Sequence, residues 1–116
     1  MENKRGYKRF HCAEAVEYGD SSYNAQGSLS SDISLGGIRL TVHQFVPIGA
    51  PLKMQINFSH LMRIIHVEGR VVWFKEISYG DSYQIGIEFL PDSDSQDSLM
   101  QVLSTNSFEP VREVAI

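Results

Sequence analysis

Apolar residues recur at alternate positions along most of this chain, the period of a strand with one buried face. The cleanest run is Leu52, Met54, Ile56 and Phe58, alternating with Lys53, Gln55 and Asn57. Ile38, Leu40 and Val42 share one face while Arg39 and Thr41 point the other way. A long strand over 64–77 centres on Val67, Gly69, Val71 and Trp73, with Gly69 marking a bulge or bend. Tyr83, Ile85, Ile87 and Phe89 form a last inward face. Two earlier segments are less regular. Residues 11–18 read as a strand whose alternation is blurred by alanines. Residues 23–31 read as a polar strand at an edge or opening of the sheet, hairpinned to the first through Gly19-Asp20-Ser21-Ser22.

The breaks are equally legible. Val46–Pro51 holds two prolines and a glycine, which cannot continue a ladder, and 79–82 is a turn by composition. Pro91 ends the last strand, and Asp92-Ser93-Asp94-Ser95 offers caps and negative charge suited to a helix N-terminus. Leu99, Met100, Val102 and Leu103 then make an apolar stripe on a short helix over 96–105. Six strand segments followed by one helix predict an all-β fold, a six-stranded antiparallel β-barrel with a short C-terminal α-helix plugging one end or packing on the flank. Residues 1–10 read as a flexible basic N-terminal arm with Phe10 anchoring its base, 11–105 as barrel plus helix, and 106–116 as a frayed tail.

Composition narrows the function more than the fold. The 116 residues carry 42% apolar side chains, enough for one core, and a net charge of −4. Binding bulk DNA or RNA rests on neutralising many phosphates, so that charge argues against it. A basic patch survives within the negative total: Lys4, Arg5, Lys8, Arg9 and Arg39 are half of the ten lysines and arginines. The single cysteine, Cys12, excludes an internal disulfide and fits a reducing compartment. The sequence shows neither a signal peptide's apolar stretch nor a membrane span, so a cytoplasmic protein is expected.

No catalytic constellation is visible in the sequence. His11, His43, His60 and His66 lie on different elements, without the spacing of a structural zinc site. The serines form no nucleophile elbow, and no phosphate-cradling Gly-Lys-Ser/Thr loop is present. Glu14, Glu17, Glu68, Glu76 and Glu88 fall on strand positions that should face solvent. Trp73 and Tyr83 fall on inward faces and read as core, so no exposed stacking platform for single strands is expected. The chain reads as a non-enzyme with no metal and no cofactor.

Two short stretches carry more. Arg5 and Arg9 sit on the arm leading into the first strand, and Asp32-x-Ser34-x-x-Gly37 ends the strand expected to pair beside it. The two would meet at one end of the barrel. Guanidinium groups grip phosphates through paired charge-assisted bonds, and they bond or stack on guanine, whose O6 and N7 accept in a fork. A carboxylate such as Asp32 suits the donor edge of guanine, Ser34 adds a hydroxyl, and Gly36-Gly37 permits close approach to the backbone. The ligand so described is compact, doubly negative and guanine-bearing.

This combination resembles the PilZ domain, a bacterial receptor module for cyclic di-GMP. The matching residues are Arg5 and Arg9 of an Arg-x-x-x-Arg arm, and Asp32, Ser34 and Gly37 of an Asp-x-Ser-x-x-Gly turn. Ser34-Leu35-Gly36-Gly37-Ile38 and Tyr83–Phe89 extend the likeness, which covers residues 4 to 103. The resemblance implies a six-stranded barrel and an arm that folds over the ligand. It also implies cyclic di-GMP contacts from Arg5, Arg9, Asp32, Ser34, Gly36 and Gly37, and an effector protein that reads the changed surface. Lys4 stands where many members have a first of two adjacent arginines, which leaves open whether one dinucleotide or a stacked pair is bound. The alternative is a protein-interaction module of the same fold that binds no ligand.

Overall fold

In the computed structural model, which describes residues 7–20, 25–78, 80–105 and 107–112, the alternating segments become seven strands and one α-helix. The strands are β1 (Phe10–His11), β2 (Ala15–Gly19), β3 (Gln26–Ile33), β4 (Gly37–Val42), β5 (Pro51–Phe58), β6 (Arg63–Ser78) and β7 (Ser82–Phe89); the helix is α1 (Ser93–Leu103). All pairings are antiparallel and run in the order β3–β2–β5–β6–β7–β4, with β4 returning to β3. Six strands thus close the barrel that the alternation predicts, and the short β1 adds to β3 as a seventh. Val16, Ile33, Leu40, Ile56, Phe58 and Ile85 fill its centre.

The helix begins earlier than its apolar stripe suggests, because the Asp92 side chain accepts from the Asp94 N–H and caps it. Leu99, Val102 and Leu103 are buried against the barrel, but Met100 is 54% exposed. At one residue past Leu99 it lies about a quarter turn further round, off the buried stripe.

Of the single-residue insertions among the described residues, three decide what the strands present, and none of these is visible in the alternation. The first lies between β1 and β2: His11 pairs with Asp32 and Ala15 with Leu29, so four steps on one strand oppose three on the other. The Ser30 hydroxyl fills this bulge, donating to the Cys12 carbonyl and accepting from the Glu14 N–H at 2.9 Å. Glu14 is consequently buried rather than solvent-facing, and its carboxylate meets His60 Nδ1 at 3.1 Å. Glu17, Glu68 and Glu76 are exposed as expected, and Glu88 is half-buried.

β3 is not an edge. It pairs with β2 and β1 on one side and with β4 on the other, and its polar residues satisfy backbone groups, as when Ser28 Oγ donates to the Val16 carbonyl at 2.8 Å. The second insertion is Ser31, between the pairs Ser30–Leu40 and Asp32–Arg39. The third is Val72, between Val71–Ile87 and Trp73–Gly86. Beyond it the alternation of β6 reverses, so Trp73 leaves the core and stands on the outer face, 37% exposed. Gly69 is not the bulge: a Cβ there would lie 2.5 Å from Ile87 Cγ2, so the glycine permits close packing of β6 on β7. Phe74 and the half-buried Tyr83 meet Phe45 at the barrel rim, with ring centroids 5.1 to 6.3 Å apart.

Residues 107–112 are not a frayed tail. His11 N donates to the Glu109 carbonyl and Val111 N to the Arg9 carbonyl, bracketing a Phe10–Pro110 bridge. Phe108 stacks edge-on against the buried Phe58 at 5.8 Å. Val114 and Ile116 lie outside the described residues, as do Lys4 and Arg5.

Candidate functional site

The register lines up five residues from five strands. His11 opposes Asp32, Asp32 opposes Arg39, Arg39 opposes Gly86, and Gly86 opposes Trp73. Directly opposed residues point to the same side of a sheet, so the row crosses the outer wall of the barrel. The insertions at Ser31 and Val72 set its two ends by bringing Asp32 level with Arg39 and Trp73 level with Gly86.

Arg9, two residues before His11, reaches into this row. Its Nε donates to Asp32 Oδ1 at 3.0 Å, its Nη2 donates to the same oxygen, and its Nη1 lies 3.5 Å from Ser34 Oγ. Asp32 is only 6% exposed, and its other oxygen lies 3.3 Å from Arg39 Nε. That approach is an ion pair without a hydrogen bond: the buried Nε of Arg39 has no acceptor in line. One sequestered carboxylate thus holds two guanidinium groups, each more than a third exposed, and leaves donors over.

The turn from β3 into β4 is pinned from three directions. Ser34 N donates to the Gly37 carbonyl at 2.9 Å, and Gly36 N donates to Ser34 Oγ at 3.1 Å, a side-chain-closed turn. Gln96 Nε2 of α1 donates to the Leu35 carbonyl, and Phe89 N of β7 donates to that of Gly36. Gly37 answers a packing demand, since a Cβ there would lie 2.3 Å from the Ile87 carbonyl oxygen. The helix therefore braces the site without contributing chemistry to it.

Between the turn and Trp73 lies an open cleft of about 490 Å³, walled by Arg9, Ser34, Gly36, Gly37, Arg39 and Trp73, with Glu88 at its rim. The Arg39 guanidinium sits 5.6 Å from the centroid of the Trp73 ring. Cationic forks beside a half-exposed indole suit a ligand with anionic groups and a flat ring. Among the described residues, no group of three His, Cys, Asp or Glu side chains is placed to hold a metal ion. Nor is any helix there long and apolar enough to cross a membrane.

Of the residues singled out by sequence, Arg9, Ser34, Gly36 and Gly37 wall this cleft, and the buried Asp32 stands behind it, holding Arg9 and facing Arg39. Sequence reasoning missed the Arg39–Trp73 half. The alternation already put Arg39 outside, but Trp73 needed the insertion at Val72, which the pattern hides. The usable signal was Gly86, an absent side chain on the outer face of a filled strand.

A search of curated proteins finds no match. Among solved structures, the chain superimposes on the Bacillus subtilis inhibitor of motility MotI/DgrA with a TM-score of 0.71 and 21% identity, over 87% of this chain and 50% of that one. It matches the PilZ domain of YcgR from Escherichia coli, solved with c-di-GMP, with a TM-score of 0.69 and 14% identity, over 86% and 88%. The MrkH–c-di-GMP complex of K. pneumonia gives 0.70 and 21%, over 89% and 52%. The chain thus spans about half the length of MotI/DgrA and MrkH. At such identities the likeness is one of fold, but the family model described as PilZ domain matches residues 3–105 directly. With that match over nearly the whole barrel and helix, the chain belongs to the PilZ domain family.

Proposed function

We propose that this chain is a non-enzymatic cytoplasmic receptor for cyclic di-GMP that passes the signal to an effector protein through a changed surface. The observation that carries the reading is the meeting of Arg9 with Asp32 and Ser34 at the lip of a cleft whose far wall is Arg39 and Trp73. Family membership supports the ligand class, and YcgR and MrkH were both solved with c-di-GMP.

The roles follow from the donors and acceptors available. Arg9 and Arg5 grip phosphate and the acceptor edge of guanine, and Asp32 accepts from the guanine N–H groups. Ser34 and the Gly36–Gly37 backbone line the near side, and Trp73 offers a stacking face. Arg39, whose Nε lacks an acceptor, supplies a further cation. Lys4 bears on whether one or two dinucleotides are held, since lysine keeps the charge of arginine but lacks its planar face.

Micromolar binding requires about −8 kcal/mol. Hydrogen bonds to charged groups contribute roughly 1.5–3 kcal/mol each. Ordering arm residues costs about 1–2 kcal/mol apiece. Base stacking, at about 1–3 kcal/mol per base, makes up the difference and places affinity in the micromolar range or somewhat tighter.

Calorimetric titration with cyclic di-GMP, with GMP and cyclic di-AMP as controls, tests the reading. Saturable, guanine-selective heat is expected from the natural chain, with binding lost or strongly weakened in Arg5→Ala and Arg9→Ala. Normal affinity in Arg9→Ala would sink the site assignment. No heat at all would leave a barrel that binds protein partners without ligand.

A further inference from the structure

The segment after the helix touches the site through the backbone of Arg9. The two-residue strand β1 has β3 on one side only, and Glu109–Val111 covers the other. His11 N donates to Glu109 O at 2.8 Å and Val111 N to Arg9 O at 2.9 Å. Phe10 and Pro110, between them, form the pair of an antiparallel ladder that exchanges no hydrogen bonds. The N–H that proline lacks is therefore not missed there, and the strap closes with its donors satisfied.

What holds the strap down is Phe108. Its ring packs edge-on against Phe58 at the barrel end, and against the His60 ring at 5.5 Å. Removing that ring leaves 109–111 tethered by two edge bonds and the half-buried Val111. The Arg9 backbone would then hang from a two-residue strand paired on a single side, with only its side chain held, by Asp32 and Ser34.

We propose that Phe108 is a positioning residue for the ligand site, acting through the Glu109–Val111 strap to hold the Arg9 backbone so that its guanidinium faces the cleft. The inference rests on the receptor reading above and adds a coupling to it. If the docked strap favours ligand binding, bound ligand must favour the docked strap by the same factor. The C-terminal segment then becomes the part of the surface whose order reports occupancy.

Two measurements on the full chain test this. Phe108→Ala should weaken cyclic di-GMP binding roughly tenfold, with Phe108→Leu restoring most of the loss. In the natural chain, saturating cyclic di-GMP should slow hydrogen exchange at the Val111 amide by a similar factor, an effect a merely structural ring would not produce. Wild-type affinity in Phe108→Ala, or unchanged Val111 exchange on ligand addition, overturns the proposal while leaving the receptor reading standing. Absence of binding by the natural chain overturns both.

Discussion

Arg39 stands over the ring of Trp73 because Gly86, the register partner of both, puts nothing between them. The guanidinium carbon is 5.6 Å from the ring centroid, while a Cβ on Gly86 would come within 2.1 Å of the indole nitrogen. A strand position without a side chain thus lets residues from its two neighbours meet across it. The indole is held face-on to a cation and half open to solvent, the state in which a stacking surface costs least to use.

Gly86 and Gly37 should therefore respond differently to the same substitution. In Gly86→Ala the new methyl meets the indole, a side chain that can swing outward, so stability should fall by only about 1 kcal/mol. In Gly37→Ala it meets the Ile87 carbonyl, part of a ladder that cannot yield, and the loss should approach about 3 kcal/mol. Urea melts of the two variants measure the difference. Equal losses would mean that Trp73 is as fixed as the backbone.

Trp73 is the chain's single tryptophan, so intrinsic fluorescence reads this wall of the cleft directly. Cyclic di-GMP should change its emission with the same midpoint as the calorimetric titration. Trp73→Ala removes a stacking face worth about 1–3 kcal/mol per base, a loss of roughly five- to 150-fold in affinity. Because the ring is exposed on the outer wall, thermal stability should move little. A large stability loss with unchanged affinity would return Trp73 to a purely structural role.

The barrel was legible because alternation over four strands is a statement about which face is wet, and burial obeyed it at Ile38, Leu40, Ile56 and Ile85. The insertions at Ser31 and Val72 were not legible. An extra residue changes neither composition nor local polarity, and only the partner strand reveals it. That is why chemistry alone points to Arg9, Asp32 and Ser34, while alternation alone places Trp73 in the core. The pairing of Glu109–Val111 with Arg9–His11 was hidden for another reason. It joins the two ends of the chain, and a proline in its middle argues against a strand until its place in the ladder is known.

Asp32 accepts from Arg9 and faces Arg39, so its removal should act on recognition more than on folding. Both arginines are more than a third exposed, which limits the stability cost of Asp32→Ala to about 1 kcal/mol. The expected change is in discrimination: cyclic di-GMP should lose much of its advantage over cyclic di-AMP while the phosphate-driven part of binding persists. Competition titrations with the two dinucleotides give the ratio. An unchanged ratio would remove Asp32 from the guanine edge.

Cys12 makes the pH dependence of stability testable at the alkaline end. Burial pushes its thiol up to about 11, against an ordinary value of 9.0, because the folded chain disfavours the thiolate. The Ser30 hydroxyl, 3.7 Å from its sulfur, opposes that shift only in part, and the nearby Glu14 and Asp32 carboxylates add to it. A group whose pKa is raised on folding binds more protons folded than unfolded, so its contribution is constant below about pH 9 and falls from there to about pH 11. Tyr18, also raised by burial, adds a decline of the same sign that starts nearer its ordinary value of 10.0. Thermal melts across pH 8 to 11 should therefore show an earlier and steeper alkaline decline in the natural chain than in Cys12→Ala. The difference between the two should open first near pH 9, and the residual slope of the variant should begin about one unit higher. Parallel curves would mean that the thiol ionises alike in both states, and that the bulge around Ser30 is open to water.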